Sequence, residues 1–269
     1  MFERVDRQCD EDVILVSGWG FDRHIFDRLD LPYNYLFYVG PSVAAFGAAL
    51  QRWIDQEGVK ACSILGWSLG AFAASAFAQQ SSNSVRHLIL LGARLAYAPA
   101  ALTQIRSGLQ RNKRATLLRL YRASFRGHDP ALYRWFKETL MEDTIERMSV
   151  ERLCADLDWL SHARIEGHRL AGVDRVTVVH GVQDEVAPAA EAQALARALL
   201  NRRFGEAARQ ADAIAQSLRA GAMDANKQNQ LGEDLKKIAG ALDSGKDIQS
   251  ELKAAGANLT AKRPEAGAQ

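Results

Sequence analysis

Short apolar runs recur along the first 200 residues, and each ends at a glycine. They cover Val13–Ser17, Asn34–Val39, Ala61–Leu65, His87–Leu91 and Arg175–His180. Most are rich in β-branched or aromatic side chains and are four to eight residues long, which is typical of buried strands. We therefore predict five strands in this part of the chain.

Segments with helical periodicity separate these runs. Between residues 43 and 55, apolar side chains recur on one helical face, and a small-residue segment from Leu69 to Ala78 follows the third run. Pro188 precedes a further helical pattern, residues 189–200. Strands alternating with helices indicate an α/β fold with a mainly parallel sheet and helices on both faces.

Two segments depart from this alternation. Residues 94–170 contain no convincing strand and are rich in arginine, so we predict a helical basic cap inserted into a core of residues 1–93 and 171–204. Residues 205–269 contain no aromatic residue, valine, histidine or cysteine, and nine basic residues balance nine acidic ones. We predict a polar helical or partly disordered tail there, in place of a C-terminal strand.

Composition narrows the class of protein. The chain has 269 residues, of which 48% are hydrophobic and 25% charged, with a net charge of +2. These values are ordinary for a globular protein and disfavour nucleic acid as the main partner. The three cysteines are far apart, which indicates reduced thiols in a cytoplasmic protein. We expect no membrane span, since no apolar run approaches eighteen residues.

The strongest motif for chemistry is Gly66-Trp67-Ser68-Leu69-Gly70. It lies between a predicted strand and a predicted helix, which is the setting of a nucleophile elbow. Two glycines allow a sharp turn that exposes the Ser68 hydroxyl, and a helix N-terminus favours developing negative charge. The alternative is a serine in an ordinary strand–helix turn.

A glycine-rich turn at residues 17–21 follows the first predicted strand. The backbone N–H of Trp19 in that turn would join the N–H of Leu69 to form an oxyanion hole. The alternative is a plain turn with a packing tryptophan.

Asp184, which follows the fifth strand, occupies the place of a triad acid in the order serine, acid, histidine. A turn-forming aspartate is the alternative. That order requires a histidine after Asp184, and the chain has none. The six histidines are His24, His87, His128, His162, His168 and His180. His24 lies nearest in sequence to the expected oxyanion turn and is the first substitute to consider, but we expect no imidazole beside the Ser68 hydroxyl.

Together, these motifs resemble the α/β-hydrolase superfamily and, more narrowly, the pimeloyl-acyl-carrier-protein methyl ester esterases of biotin synthesis. The resemblance rests on residues 18–20, 66–70 and 90–94 and covers residues 11 to about 200. It implies a serine carboxylester hydrolase that needs no metal or organic cofactor. It also implies an acyl methyl ester substrate held by acyl carrier protein. The chain departs from that family where the catalytic histidine is expected.

The predicted cap carries ten basic residues and one acidic residue between Arg94 and Lys137. Such a patch attracts acidic partners. We therefore expect Arg111, Arg114, Arg119 and Arg122 to contact the substrate or an acidic protein, with a solvated helical face as the alternative. Several cap aromatics would either line an acyl channel or simply pack. They are Tyr97, Tyr133, Trp135, Phe136 and Trp159.

Two hypotheses of function follow. The first is a carboxylester hydrolase in which Ser68 is the nucleophile, the Trp19 and Leu69 amides bind the oxyanion, and Asp184 orients a base. The second is a hydrolase-fold binding module without catalysis that docks an acidic partner through the cap. The missing histidine favours the second hypothesis, because a serine without a base is a weak nucleophile.

Overall fold

A computed structural model describes residues 2–126, 129–170, 172–181, 184 and 186–199. The predicted tail, residues 205–269, lies outside the described residues. Within the chain, Met1–Leu199 form one unit. No helix among the described residues is long and apolar enough to cross a bilayer.

The centre of the fold is a six-stranded sheet with the strand order β1-β3-β2-β4-β5-β6. The strands are β1 (Phe2–Val5), β2 (Asp12–Val16), β3 (Asn34–Tyr38), β4 (Cys62–Trp67), β5 (Val85–Leu91) and β6 (Arg175–Val179). Among the described strands, only the β1–β3 pair is antiparallel, and the other four pairs are parallel. The predicted mainly parallel α/β fold is therefore confirmed.

Strand β1 was not predicted from the sequence. It has four residues, and its two exposed ones give no apolar alternation to detect. It forms because β3 offers a free edge and because Phe2 packs its ring against Tyr38, Phe46 and Trp53. Tertiary contacts therefore decide this strand, as is common for short edge strands.

The helices cover the sheet and form the insertion. They are α1 (Phe46–Glu57), α2 (Leu69–Gln80), α3 (Pro99–Arg111), α4 (Lys113–Ser124), α5 (Pro130–Thr139), α6 (Met141–Arg147), α7 (Val150–His162) and α8 (189–199). Helix α2 is buried along nearly its whole length. Its alanines and glycine allow this, because small side chains let a helix approach the sheet closely.

Helices α3 to α7 lie between β5 and β6 in the chain, so the predicted helical insertion is observed. Local sequence signals set several of its boundaries. The side chains of Asn112, Asp129 and Ser149 accept backbone N–H bonds at the starts of α4, α5 and α7. Pro99 and Pro130 stand in the first turns of α3 and α5, where the missing N–H costs nothing.

Candidate active site

Ser68 stands at the turn between β4 and α2, at the carboxyl edge of the sheet. Its backbone has φ 52° and ψ −111°, in the region of positive φ that residues other than glycine rarely adopt. Its N–H donates to the Leu91 carbonyl oxygen at 2.8 Å, which anchors the turn to β5. Such an over-determined, strained residue is characteristic of functional sites.

Close backbone approach explains both glycines of the motif. A Cβ atom on Gly66 would lie 2.3 Å from the Gly70 carbonyl oxygen. A Cβ atom on Gly70 would lie 2.1 Å from the carbonyl oxygen of Val16, the last residue of β2. Only glycine fits at these positions, so the motif is a packing requirement of the turn that holds Ser68.

A cavity of about 270 Å³ opens over Ser68, between the sheet edge and the insertion. Its wall is mostly apolar and includes Trp19, Phe21, Leu102 and Leu157. Of the five cap aromatics expected to line a channel or to pack, Tyr97 lines this cavity. Within the described ranges, the other four are not part of its wall. The space suits an apolar chain whose reactive end lies at the serine.

The two predicted oxyanion donors line one small cavity, whose described wall does not include Ser68. Trp19 and Leu69 both line a second, water-sized cavity of about 30 Å³. Neither of their backbone N–H groups has an acceptor among the residues that the structure describes. The Trp19 indole donates to the Leu153 carbonyl oxygen at 3.0 Å, which fixes the turn against α7. Leu69 is the first residue of α2, so its backbone N–H lies at a helix N-terminus, which favours a developing negative charge.

Asp184 also lines the larger cavity. Its Oδ1 accepts hydrogen bonds from the Val186 and Ala187 amides, both at 2.8 Å. Its own N–H donates to the Gly181 carbonyl oxygen at 3.2 Å. Oδ1 therefore stabilises a turn, as the alternative interpretation of Asp184 predicted, while Oδ2 accepts no hydrogen bond from the described residues.

No histidine lines this cavity in the part of the chain that the structure describes. His24 lies in a short 3-10 helix, with Nδ1 3.1 Å from Asp27 Oδ2. His180 follows β6, and its Nε2 lies 2.5 Å from the Ala187 carbonyl oxygen. His128 is outside the described residues. Within the described residues, no imidazole is hydrogen-bonded to Ser68 Oγ.

The partner of Ser68 is a tyrosine that sequence reasoning did not assign to the serine. Tyr97 Oη lies 3.4 Å from Ser68 Oγ. The guanidinium carbon of Arg94 lies 4.4 Å from the centre of the Tyr97 ring. The only available signal was the position of both residues just after β5, because β5 pairs with β4 and ends beside Ser68.

The four arginines expected to contact a partner differ in their local bonds. Arg114 forms a two-pronged ion pair with Glu142, at 2.6 and 2.7 Å. Arg111 donates from Nε to the Ser107 carbonyl oxygen at 3.3 Å. Arg119 and Arg122 line a groove along α4 and have no ion pair within the described ranges. These last two side chains are cations that an acidic partner could contact.

The fold is that of the α/β hydrolases. An esterase from Exiguobacterium antarcticum superposes with a TM-score of 0.60 and 16% identity, covering 74% of this chain and 82% of that chain. An enol-lactonase from Burkholderia xenovorans gives 0.57 and 14%, with 74% and 84% covered. A bromoperoxidase from Bacillus anthracis gives 0.56 and 13%, with 70% and 78% covered.

These three proteins carry different activities in their names, so the shared fold does not select a reaction. No protein-family model and no curated protein sequence matches the chain. Function therefore has to be inferred from the site itself.

Proposed function

We propose that the protein is a serine carboxylester hydrolase. One observation carries this proposal: Ser68 is held in a strained turn on the wall of a mostly apolar cavity, and the Trp19 and Leu69 amide N–H groups have no acceptor among the described residues. Backbone strain at the half-buried Ser68 costs about 1–3 kcal/mol, and a nucleophile is a role that uses it.

In the proposed reaction, Ser68 Oγ attacks the ester carbonyl carbon and forms an acyl-enzyme. The Trp19 and Leu69 amides stabilise the negative oxygen of the tetrahedral intermediate. The acyl chain lies in the apolar cavity, while Asp184 supplies a carboxylate that orients the proton acceptor. The chemistry of these groups needs no metal or organic cofactor.

The proposed substrate is an acyl methyl ester, of pimeloyl type, carried by acyl carrier protein. The apolar wall of the cavity supports an uncharged acyl chain, because an ionised group there would lose its hydration. Arg119 and Arg122, which form no ion pair within the described residues, support an acidic carrier, since complementary charge raises the rate of encounter. We further propose that this chemistry takes place in the cytoplasm.

Labelling with a fluorophosphonate probe tests the hydrolase directly. We expect rapid labelling of the intact chain and none of Ser68→Ala, because the probe reacts with an activated serine. Release of p-nitrophenol from a medium-chain ester should show the same dependence on Ser68. Equal labelling of both proteins would refute the proposal.

The carrier is tested by comparing a carrier-bound methyl ester with the same ester free in solution. Reversing charge at Arg119 and Arg122 together, to glutamate, should lower kcat/KM for the bound ester about tenfold and leave the free ester unchanged. Lys60→Glu is the matched control, because Lys60 is exposed and precedes β4, at the opposite edge of the sheet from Ser68. An equal effect of Lys60→Glu would contradict carrier docking on α4.

A non-catalytic binding module is the second candidate. It is favoured by the absence of an imidazole from the described wall of the cavity. In that case the fluorophosphonate probe does not label Ser68 and no p-nitrophenol is released, while the charge reversal on α4 still weakens binding of acyl carrier protein in a titration.

A further inference from the structure

The proposed reaction depends on the direction of one backbone N–H, that of Trp19. Trp19 lines the larger cavity together with Ser68 and the smaller cavity together with Leu69. A donor in an oxyanion hole is effective when it already points at the oxygen before charge develops there. The contacts that hold the turn of residues 18–21 in shape therefore bear on the reaction.

This turn is closed by a hydrogen bond from the Phe21 N–H to the Gly18 carbonyl oxygen at 3.1 Å. The Gly18 carbonyl and the Trp19 N–H belong to one planar peptide group, so the same bond orients the oxyanion donor. The most flexible point of the turn is Gly20, whose φ is 77°. Positive φ at the third residue is characteristic of a type II turn, and a glycine leaves that conformation readily.

The cap holds Gly20 in place. Tyr121, in α4, donates its hydroxyl to the Gly20 carbonyl oxygen at 2.8 Å, and its side chain is fully buried. Burial raises the pKa of Tyr121, so the hydroxyl keeps its proton and remains a donor at neutral pH. A Cβ atom on Gly20 would lie 3.0 Å from a methyl carbon of Leu120, so α4 packs closely over this residue.

A second bond between the cap and the turn involves the Trp19 side chain. Its indole donates to the carbonyl oxygen of Leu153 in α7. The indole bond restrains the side chain of Trp19, whereas the Tyr121 bond restrains the backbone that follows it. The Ser17 hydroxyl adds a bond to the Phe21 carbonyl oxygen at 3.0 Å. Among the described residues, Tyr121 is the side chain that bonds to the Gly20 carbonyl.

We propose that Tyr121 is a positioning residue whose hydrogen bond to the Gly20 carbonyl oxygen keeps the Trp19 N–H directed at the oxyanion. This inference rests on the proposed hydrolase function. Tyr121 is not part of the described wall of the cavity that holds Ser68, so it acts through the turn and not on the substrate. A fixed N–H stabilises negative charge as it develops, whereas a mobile one must first reorient.

The kinetic test compares ester hydrolysis by the intact chain and by Tyr121→Phe. This change removes the hydroxyl and keeps the ring that packs on Phe21 and Phe136. Loss of a whole oxyanion donor lowers kcat about 100-fold to 1000-fold, and a donor that is only less well directed should lose less, about tenfold. KM should change by less than about twofold, because the wall that binds the acyl chain is unaltered.

Tyr35→Phe is the matched control. It also removes a buried tyrosine hydroxyl that donates to a backbone carbonyl oxygen, that of Leu29 at 2.9 Å. Tyr35 lies near the start of β3, away from the carboxyl edge that carries Ser68. Because its hydroxyl also accepts bonds from Arg7 and Leu31, Tyr35→Phe should lower Tm at least as much as Tyr121→Phe. Its kcat should stay within about twofold of the intact chain.

Amide hydrogen exchange measures the turn without any turnover. In Tyr121→Phe, the Phe21 N–H that closes the turn should exchange at least about tenfold faster than in the intact chain, because the turn opens more often. Tyr35→Phe should leave this exchange rate unchanged. A fall in kcat without faster exchange would place the effect elsewhere and overturn the inference, as would an equal fall of kcat in both variants.

The outcomes distinguish this inference from the proposed function. Turnover that is lost in Ser68→Ala but unchanged in Tyr121→Phe overturns the role of Tyr121 and leaves the hydrolase standing. Turnover that does not need Ser68, or no turnover in the intact chain, overturns the hydrolase and the role of Tyr121 with it.

Discussion

Replacing Ser68 with glycine should stabilise the fold, although it removes the proposed nucleophile. The reason lies in the backbone, which has φ 52° and ψ −111° at this position. A Cβ atom makes that conformation unfavourable, whereas glycine reaches it freely. The reference is Ser68→Ala, which also lacks the hydroxyl but keeps the Cβ atom. The comparison therefore isolates the strain.

The expected magnitude follows from two opposing terms. A residue held in a sparsely populated backbone region costs about 1–3 kcal/mol. Glycine removes this strain, but it also destabilises the fold by about 0.5–1 kcal/mol, because it has more conformational freedom in the unfolded chain. The glycine variant should therefore exceed the alanine variant by about 1 kcal/mol in free energy of unfolding. For a domain of about 200 residues this corresponds to about 2–4 °C in Tm.

Denaturant titrations of both variants measure the difference. Ser107 in α3 provides the control, because its helical backbone suits alanine better than glycine. There Ser107→Gly should be less stable than Ser107→Ala by about 1 kcal/mol, so the two sites should differ in sign. If Ser68→Gly were equal to or less stable than Ser68→Ala, the turn would carry no strain and the reasoning would be wrong.

Three further predictions follow from buried groups. Gly70→Ala should lower the free energy of unfolding by about 3 kcal/mol or more, because the added Cβ would lie 2.1 Å from the Val16 carbonyl oxygen. Urea titrations measure this loss. Burial raises the pKa of the Cys62 thiol to about 12, so at neutral pH iodoacetamide should label Cys9 in the folded protein and Cys62 only after unfolding. Burial also raises the pKa of Asp156 in the folded protein above its ordinary value. The free energy of unfolding should therefore fall as the pH rises from the ordinary pKa to the raised one, because the folded state holds the proton more tightly. Denaturant titrations at several pH values should show a smaller fall in Asp156→Asn.

The centre of the sheet was predictable from the sequence because β2, β3 and β4 are buried along nearly their whole length. Such strands read as uninterrupted apolar runs, and glycine marks their ends. Five of the six strands were found in this way, within two residues at each end. β1 was missed because its formation depends on the edge of β3 and on the ring contacts of Phe2.

Part of the candidate site was also visible in the sequence. The strand–glycine–helix context of Ser68 is local, so the turn and its strained residue could be expected before any coordinates. The positions of Trp19 and Asp184 followed from their place after strands of one parallel sheet, because such strand ends meet at the same edge. Their roles stay predictions until the variants are measured.

The sequence by itself determined where strands and helices follow one another along the chain, the helical insertion and the turn that carries Ser68. These features depend on residues close together in the chain. Only the tertiary structure decided what faces that hydroxyl. Tyr97 lies 29 residues from Ser68 in the chain and reaches it because β5 pairs with β4. Contacts between side chains on different elements leave no periodic signal, so they appear only when the sheet brings those elements together.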